Sequence, residues 1–255
     1  MLDEASKSLV DEVATAAAKV GEITERQLHD REMLALFDRC RSIFGAVRLL
    51  AKLEDPDFGQ EATILARPLI TESLMLMELA AADETRRVEL VVGWELLTLD
   101  DLEGLWREAQ ARGQDMDDQL KSTALAKGWW EEYARRRGAG TSRWRVDEKA
   151  LADKHGREDY LSFRMMHHFV HGSAFAAGQR SSQEGDVHFV GGPAADKGWG
   201  KAAALQSASS LVFATRAVCS IFGWNEPPEL DGLHKRIEAM DAEMQEAATA
   251  GPKAD

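Results

Sequence analysis

The chain has 255 residues, of which 44% are hydrophobic and 29% charged, and this balance excludes a protein that is disordered throughout. A formal net charge of −13 argues against binding to nucleic acid or an anionic membrane through the overall field, and leaves only a local basic patch for such contacts. The two cysteines, Cys40 and Cys219, are too few for a disulfide scaffold and fit a reduced cytoplasm.

The N-terminus is acidic and amphipathic, unlike a secretory signal peptide. No apolar run approaches the roughly 18 residues that a membrane span requires. We therefore expect a cytoplasmic protein without a membrane partner.

Helix-favouring residues dominate the composition, and only two tyrosines and six prolines are present. The sequence predicts an all-α protein, a helical bundle of about seven to nine helices. From the apolar periodicity and the punctuating glycines and prolines, the predicted helices cover residues 2–22, 24–53, 60–82, 84–112, 115–137, 147–154, 157–179, 201–222 and 228–247.

Turn and capping residues set the expected ends of several helices. Thr24 to Gln27 has the spacing of a capping box that opens the second helix. Pro68 should kink the third helix or mark its start. Three arginines followed by Gly138 end the fifth helix.

The same composition and turn residues predict two loops and three structural units. Residues 138–145 form a surface loop, and 181–200 form a long Gly-rich loop in which 187–190 is at most a short extended piece. The predicted units are an N-terminal helical arm, a helical core domain, and a C-terminal helix with a frayed tail. They cover residues 1–30, 31–224 and 225–255, respectively.

The chemically richest stretch is the predicted helix over 157–179, which holds three of the seven histidines. At about 100° per residue, Arg164, His167, His168 and His171 fall within an arc of roughly 100°. Side chains that can carry a proton near neutral pH, coordinate a metal or hold an anion are therefore gathered along one edge.

His167 and His171 are one helical turn apart, a spacing that allows two histidines to share a metal ion. A carboxylate from another helix would have to complete the site, and Glu72 and Glu78 are the best candidates. In the competing interpretation, His167 and His168 lie on the polar face and His171 is hydrogen-bonded at a helix contact. The sequence leaves the metal, and any other cofactor, unknown.

A second interpretation pairs Arg164 with His171, an arginine followed by six residues and a histidine. In phosphodiester cleavage the arginine neutralises phosphate charge, while the histidine acts as general acid or base on the RNA 2′-hydroxyl or the leaving oxygen. The pair resembles the Arg-x4-6-His motif of the HEPN superfamily of small helical ribonucleases and nucleotide-binding toxins. That resemblance implies a metal-independent ribonuclease that acts as a dimer. The alternative is that the arginine and histidines form a purely structural stripe.

Arg67 and Glu72 lie in the apolar third helix, where an unpaired charge is costly to bury. We expect them to reach a common partner, which could be each other, a histidine or a substrate. The alternative is a buried salt bridge that fixes two helices in register. Five residues separate the two side chains, so a straight helix does not bring them face to face.

The segment Arg67 to Glu72, followed about ninety residues later by the aromatic helix Phe163 to Ser173, resembles a bacterial family catalogued as domain of unknown function 5677. The resemblance covers roughly residues 35–222. It implies a helical fold and carries over Arg67, Glu72 and His171 as site residues. The family has no established activity, so no reaction is implied.

Aromatic and basic residues also alternate between 129 and 145. Such interleaving can stack bases and hold phosphates of a single strand. The alternative, favoured by Glu131, Glu132 and the overall acidity, is a tryptophan-anchored helix end with a solvated charged loop. The residues concerned are Trp129, Trp130, Tyr133, Trp144, Arg135, Arg136, Arg137, Arg143 and Arg145.

Three functions from different classes follow. The first is an interhelical pocket that binds a small anionic ligand or nucleotide, the second a HEPN-like ribonuclease acting on RNA, and the third a noncatalytic helical interaction module. A homo-oligomer is compatible with all three. The pocket would be formed by Arg67, Glu72, Arg164, His167 and His171.

Overall fold

The computed structural model describes residues 2–20, 27–53, 58–157, 181–184, 187–190 and 199–249. Helices dominate these residues, which confirms the predicted all-α class. The helices are α1 (Glu4–Ala18), α2 (Leu28–Lys52), α3 (Gly59–Ala81), α4 (Glu84–Ala111), α5 (Asp117–Arg136), α6 (Glu148–Lys154), α7 (Trp199–Phe222) and α8 (Leu230–Thr249).

Two short strands lie between α6 and α7. β1 (Ser181–Glu184) and β2 (Val187–Val190) pair antiparallel, with Ser181 opposite Val190. β2 is the segment expected as a short extended piece. The predicted Gly-rich loop was wrong at its end, because Trp199 and Gly200 already belong to α7. The remaining loop residues, 185–186 and 191–198, and the predicted histidine helix beyond residue 157 lie outside the described residues.

Aspartates cap three of the helices. The side chains of Asp3, Asp83 and Asp147 accept backbone N–H bonds of 2.8–2.9 Å at the starts of α1, α4 and α6. The capping box expected at Thr24 was wrong as a helix start, because Gln27 is extended and occupies the N-cap of α2 without a side-chain bond. Helix α3 runs continuously through Pro68, which therefore does not mark its start.

Helices α3 and α7 form the centre of the fold, and α2 packs against both. Many side chains of α7 are small and fully buried, including those of Ala203, Ala204 and Ala208. A Cβ placed on Gly200 would lie 3.4 Å from the Cα of Gly59, so the first turns of α3 and α7 approach closely. Small residues thus allow the two backbones to pack together.

Helix α1, expected as an arm, packs on α7, α8 and α2. Leu9, Val10 and Val13 are almost fully buried in the main hydrophobic core. Ion pairs fix its orientation at the surface, including Arg236 Nη1 to Glu12 Oε2 at 2.6 Å.

Helix α7 is long and apolar enough to cross a membrane by length and composition, and 72% of its apolar window is buried inside the fold. Burial of this kind is typical of the central helix of a bundle. Within the described residues, it is the one helix with this property.

Helices α4 and α5 form an antiparallel hairpin that extends beyond the core. In α4 the last fully buried apolar residue is Leu96, and in α5 the first is Trp130. Between them, among the described residues, Thr123 is the buried side chain. We call residues 97–129 the projecting hairpin.

The α5–α6 connection crosses α4 at its last buried turn. A Cβ on Gly93 would lie 2.3 Å from the Ser142 carbonyl oxygen and 2.9 Å from the Trp144 backbone nitrogen. Gly140 N donates to Glu89 Oε1 at 3.0 Å, and Arg143 Nε donates to Asp100 Oδ2 at 2.7 Å. The predicted surface loop is thus a strap, residues 139–146, held against α4.

Candidate functional site

The predicted site residues divide into two groups. Arg164, His167, His168 and His171 lie within 158–180, outside the described residues. Arg67 and Glu72 are described, and both lie on α3.

Glu72 faces α2. Its Oε1 is 2.5 Å from Arg39 Nη2, and its Oε2 accepts a weak bond from Cys40 Sγ at 3.9 Å. Glu72 is 4% exposed, whereas the Arg39 side chain is 59% exposed. Burial raises the pKa of Glu72, and the charge of Arg39 opposes that effect.

Cys40 is a buried structural thiol. Burial, with the neighbouring Glu72 carboxylate, raises its pKa well above the ordinary range of a thiol. The side chain is fully enclosed by the core. Cys40 is therefore protonated at neutral pH and poorly suited to act as a nucleophile.

Arg67 faces α6 instead. Its Nη2 lies 4.0 Å from Glu148 Oε2, and the Thr71 hydroxyl donates to Glu148 Oε1 at 2.6 Å. Five residues along a helix correspond to a rotation of roughly 140° between two side chains, which explains why Arg67 and Glu72 contact different helices. Each joins α3 to a neighbour, as in the salt-bridge alternative.

Glu78, the other carboxylate considered for a metal, is engaged at the end of α6. It accepts bonds from Lys154 Nζ at 2.7 Å and contacts His155 Nε2 at 3.1 Å. The hydrogen bonds and charges of these two residues lower its pKa despite the opposing effect of burial. Across the part of the chain that the structure describes, no three His, Cys, Asp or Glu side chains are placed to hold a metal ion.

The aromatic and basic segment anchors the base of the hairpin. Trp130 is buried, and its ring meets that of Tyr133 edge to face at 5.9 Å. Arg135 and Arg136 both bond Glu132, and Arg143 bonds Asp100. This geometry agrees with the tryptophan-anchored alternative, because acidic partners compensate these arginines.

Sequence reasoning missed His29, which is buried on α2 and contacts Tyr133 Oη through Nδ1 at 2.7 Å. Its Nε2 lies 3.6 Å from carboxylates of both Asp30 and Glu84. Burial is the main cause that lowers the pKa of His29, although the two carboxylates oppose it. A polar residue at an apolar position of α2 was the available signal.

A second missed cluster lies beside α7. Buried Arg157 donates from Nη2 to Ser210 Oγ at 3.3 Å, and its guanidinium carbon is 4.5 Å from the centroid of Phe213. The His234 ring meets Phe213 edge to face at 5.0 Å, and burial lowers the pKa of His234. Arg157, which contacts α7, is the last described residue before the segment 158–180.

Both helices of the projecting hairpin carry exposed apolar side chains. Leu125 and Trp129 on α5 are 75% and 51% exposed, and Leu105 on α4 is 57% exposed. Trp129 stacks on Tyr133 with ring centroids 6.0 Å apart. Leu125 and Trp129 are four residues apart and therefore lie on one face of α5.

No protein-family model, curated protein or solved structure matches this chain. The resemblances to family 5677 and to the HEPN superfamily therefore stay predictions.

Proposed function

We propose that the protein is a noncatalytic helical interaction module that binds another protein through its projecting hairpin. The observation that carries this proposal is the exposure of Leu105, Leu125 and Trp129 on an element that contributes little to the core. Leu125 and Trp129 form an exposed apolar pair on one face of α5, and large apolar side chains exposed in this way are characteristic of protein interaction sites.

The described candidates for a catalytic pocket support the same choice. Glu72 and Arg67 form ion pairs that connect α3 with α2 and α6, respectively. Both pairs can be understood as fixing helix positions. We place the module in the cytoplasm, because its two cysteines are buried free thiols.

A photo-crosslinking experiment tests the proposal. A benzophenone amino acid replaces Leu125 or Trp129 in the full chain, expressed in cells that naturally carry the protein. We expect protein adducts from both positions. Leu49, which is 63% exposed on α2, is the matched control and should give few. Equal labelling from Leu49, or no adducts from α5, would overturn the proposal.

Binding of a small anionic ligand is a second candidate because of Arg39. Buried Glu72 holds the Arg39 guanidinium in place while most of that side chain is open to solvent. A fixed, accessible arginine suits a phosphate or carboxylate. Calorimetric titration with inorganic phosphate and with nucleotides, compared between wild type and Arg39→Gln, tests it, and an absence of heat in both removes it.

The ribonuclease alternative is tested separately with purified protein and total RNA. Identical RNA patterns for wild type, His171→Ala and a protein-free sample are expected for a noncatalytic module. RNA fragments produced by wild type and lost in His171→Ala would favour cleavage and contradict the module.

A further inference from the structure

We propose that the partner of the projecting hairpin is a second copy of this chain, paired antiparallel along the outer face of α5. This inference depends on the proposed function and names the partner of that same surface. The surface concerned is the face of α5 that points away from the core, which we call the outer face. At about 100° per residue, its residues span an arc of roughly 140°. They are Asp117, Asp118, Lys121, Ala124, Leu125, Gly128, Trp129, Glu132, Arg135 and Arg136.

The buried side of α5 lies opposite this face. Thr123, Trp130 and Ala134 are the buried residues of α5, and they cluster on the other side of the helical wheel. The outer face can therefore accept another helix without disturbing the packing of α5 on α4.

The centre of the face is self-complementary in shape. When two copies of α5 are related by a two-fold axis midway between residues 126 and 127, Leu125 of one protomer lies opposite Gly128 of its partner. Trp129 lies at the same edge of the face as Leu125 and therefore packs beside Leu125 of the partner. At the centre of the face, an exposed large side chain thus meets a small residue, as ridges and grooves require in helix packing.

The ends of the face are complementary in charge under the same symmetry. The first turn of α5 is acidic and the last is basic. Asp117 then lies nearest Arg135 of the other protomer, and Asp118 nearest Arg136, because the members of each pair share an edge of the face. Lys121 falls opposite Glu132. All charged residues of the face thus meet the opposite sign, whereas a parallel arrangement would place like charges together.

Existing contacts on the face leave these charges available. Lys121 Nζ is 3.8 Å from Asp118, and Glu132 bonds Arg135 and Arg136 within the same helix. The side chains of Asp118, Arg135 and Arg136 are 95%, 73% and 73% exposed. Ion pairs this exposed are weak and can be shared with a partner.

The size of the surface sets the expected affinity. A single helix pair buries less area than a standard interface of roughly 1,600 Å², which is typical of a reversible association. The net charge of −13 also opposes self-association at low ionic strength. We therefore expect a weak, reversible dimer.

Sedimentation equilibrium of the purified full chain tests the inference. Wild type should shift from monomer to dimer as concentration rises. Leu125→Glu should weaken this self-association by about tenfold or more, because the two-fold axis introduces each substitution twice. Leu49→Glu on α2 alters a similarly exposed leucine and should leave dimerisation unchanged.

A charge-exchange pair makes the test specific for the antiparallel arrangement. Asp117→Lys/Asp118→Lys alone places lysines opposite arginines, and Arg135→Glu/Arg136→Glu alone places glutamates opposite aspartates. Each variant should dimerise more weakly than wild type. An equimolar mixture should recover wild-type affinity, since opposite charges then meet at both ends, and recovery also shows that both variants are folded.

The outcomes separate this inference from the proposed function. Purified protein that stays monomeric, while α5 crosslinks a different protein in cells, overturns the dimer and leaves the interaction module standing. Dimerisation that is unaffected by Leu125→Glu, or a mixture that fails to recover affinity, overturns the α5 interface. Failure of both crosslinking and self-association overturns both proposals.

Discussion

The carboxylate of Glu72 is buried between α2 and α3, yet the arginine that pairs with it is mostly exposed. The buried group therefore depends on a partner that water also reaches. Pairs of this kind fall between surface ion pairs, which contribute little, and fully buried pairs, which are costly to break.

Replacing Arg39 by glutamine should lower the free energy of unfolding by roughly 1–2 kcal/mol near neutral pH. Burial raises the pKa of Glu72, so its ionised form is the disfavoured one in the folded state. The loss should therefore grow as pH rises and shrink as Glu72 becomes protonated. Urea unfolding at several pH values measures it.

Arg41→Gln is the control, because Arg41 and Asp38 form an exposed pair at 3.9 Å. Its effect should stay within about 0.5 kcal/mol. An equal loss in the two variants, or a loss in Arg39→Gln that does not change with pH, would show that Arg39 does not stabilise the buried carboxylate.

Glu95 on α4 provides a pH-dependent test. Burial and the neighbouring Glu32 carboxylate raise its pKa to about 7 from an ordinary value of 4.5. The folded state therefore prefers the protonated carboxyl, and the stability this provides is present below pH 4.5 and is lost as pH rises towards 7. The stability of Glu95→Gln relative to wild type should rise by roughly 1–3 kcal/mol across that interval.

Thermal unfolding of both proteins across the same pH range measures the effect. Glu243→Gln, which changes an exposed carboxylate on α8, should show a nearly constant difference from wild type. A constant difference for Glu95→Gln as well would contradict the proposed environment of Glu95.

At the scale of the elements, the strap packs closely against α4 at Gly93, because glycine has no side chain that would block the strap backbone. Strap backbone atoms from Ser142 and Trp144 occupy the position that a Cβ on Gly93 would take. Backbone atoms cannot move aside as the end of a flexible side chain can. The strap therefore packs against α4 in a fixed position at Gly93.

Gly93→Ala should destabilise the protein by roughly 1–3 kcal/mol through this overlap, despite the higher helix propensity of alanine. Gly104→Ala is the matched control, because Gly104 lies in the same helix with no atom within 4 Å of its Cβ position. It should stabilise the protein by about 0.5–1 kcal/mol. Chemical denaturation of the two variants gives the comparison, and opposite signs are the required result.

The α4–α5 hairpin also shows what apolar spacing in a sequence does not predict, namely whether another element covers a given helix face. Leu105 and Leu125 have the same helix-compatible spacing as buried leucines, yet they are 57% and 75% exposed. Periodicity reports which residues share a face. It does not report whether another element covers that face.

Across the whole molecule, burial predicts a gradient of local stability. Helices α3 and α7 are enclosed by neighbouring helices, whereas each helix of the projecting hairpin is covered mainly by the other. Native-state hydrogen exchange should therefore be slowest in the central turns of α3 and α7 and faster in residues 97–129. Equal protection of the hairpin and α3 in dilute protein would contradict this gradient.

Much of the fold could be predicted from the sequence, because apolar spacing and capping aspartates are local signals. The helix expected over 84–112 is observed at Glu84–Ala111, with Asp83 as its cap. The partners of individual side chains could not be predicted in the same way. Glu72 pairs with Arg39, more than thirty residues earlier, and that choice depends on how α2 and α3 are oriented in space. The histidine segment lies outside the described residues, so its part of the candidate site stays a prediction.

Because the strap contacts α4 at Gly93, a small change in geometry at this position would tilt the rest of the hairpin. From Gly93 to Ala111, α4 extends for about 27 Å at the rise of an α-helix. A tilt of about 10° at this fulcrum would displace the far tip by about 5 Å over that length. A single methyl group added at Gly93 would thus displace the tip of the hairpin most, and would displace the proposed α5 surface, whose Lys127 pairs with Asp100 and Glu103, by a smaller distance.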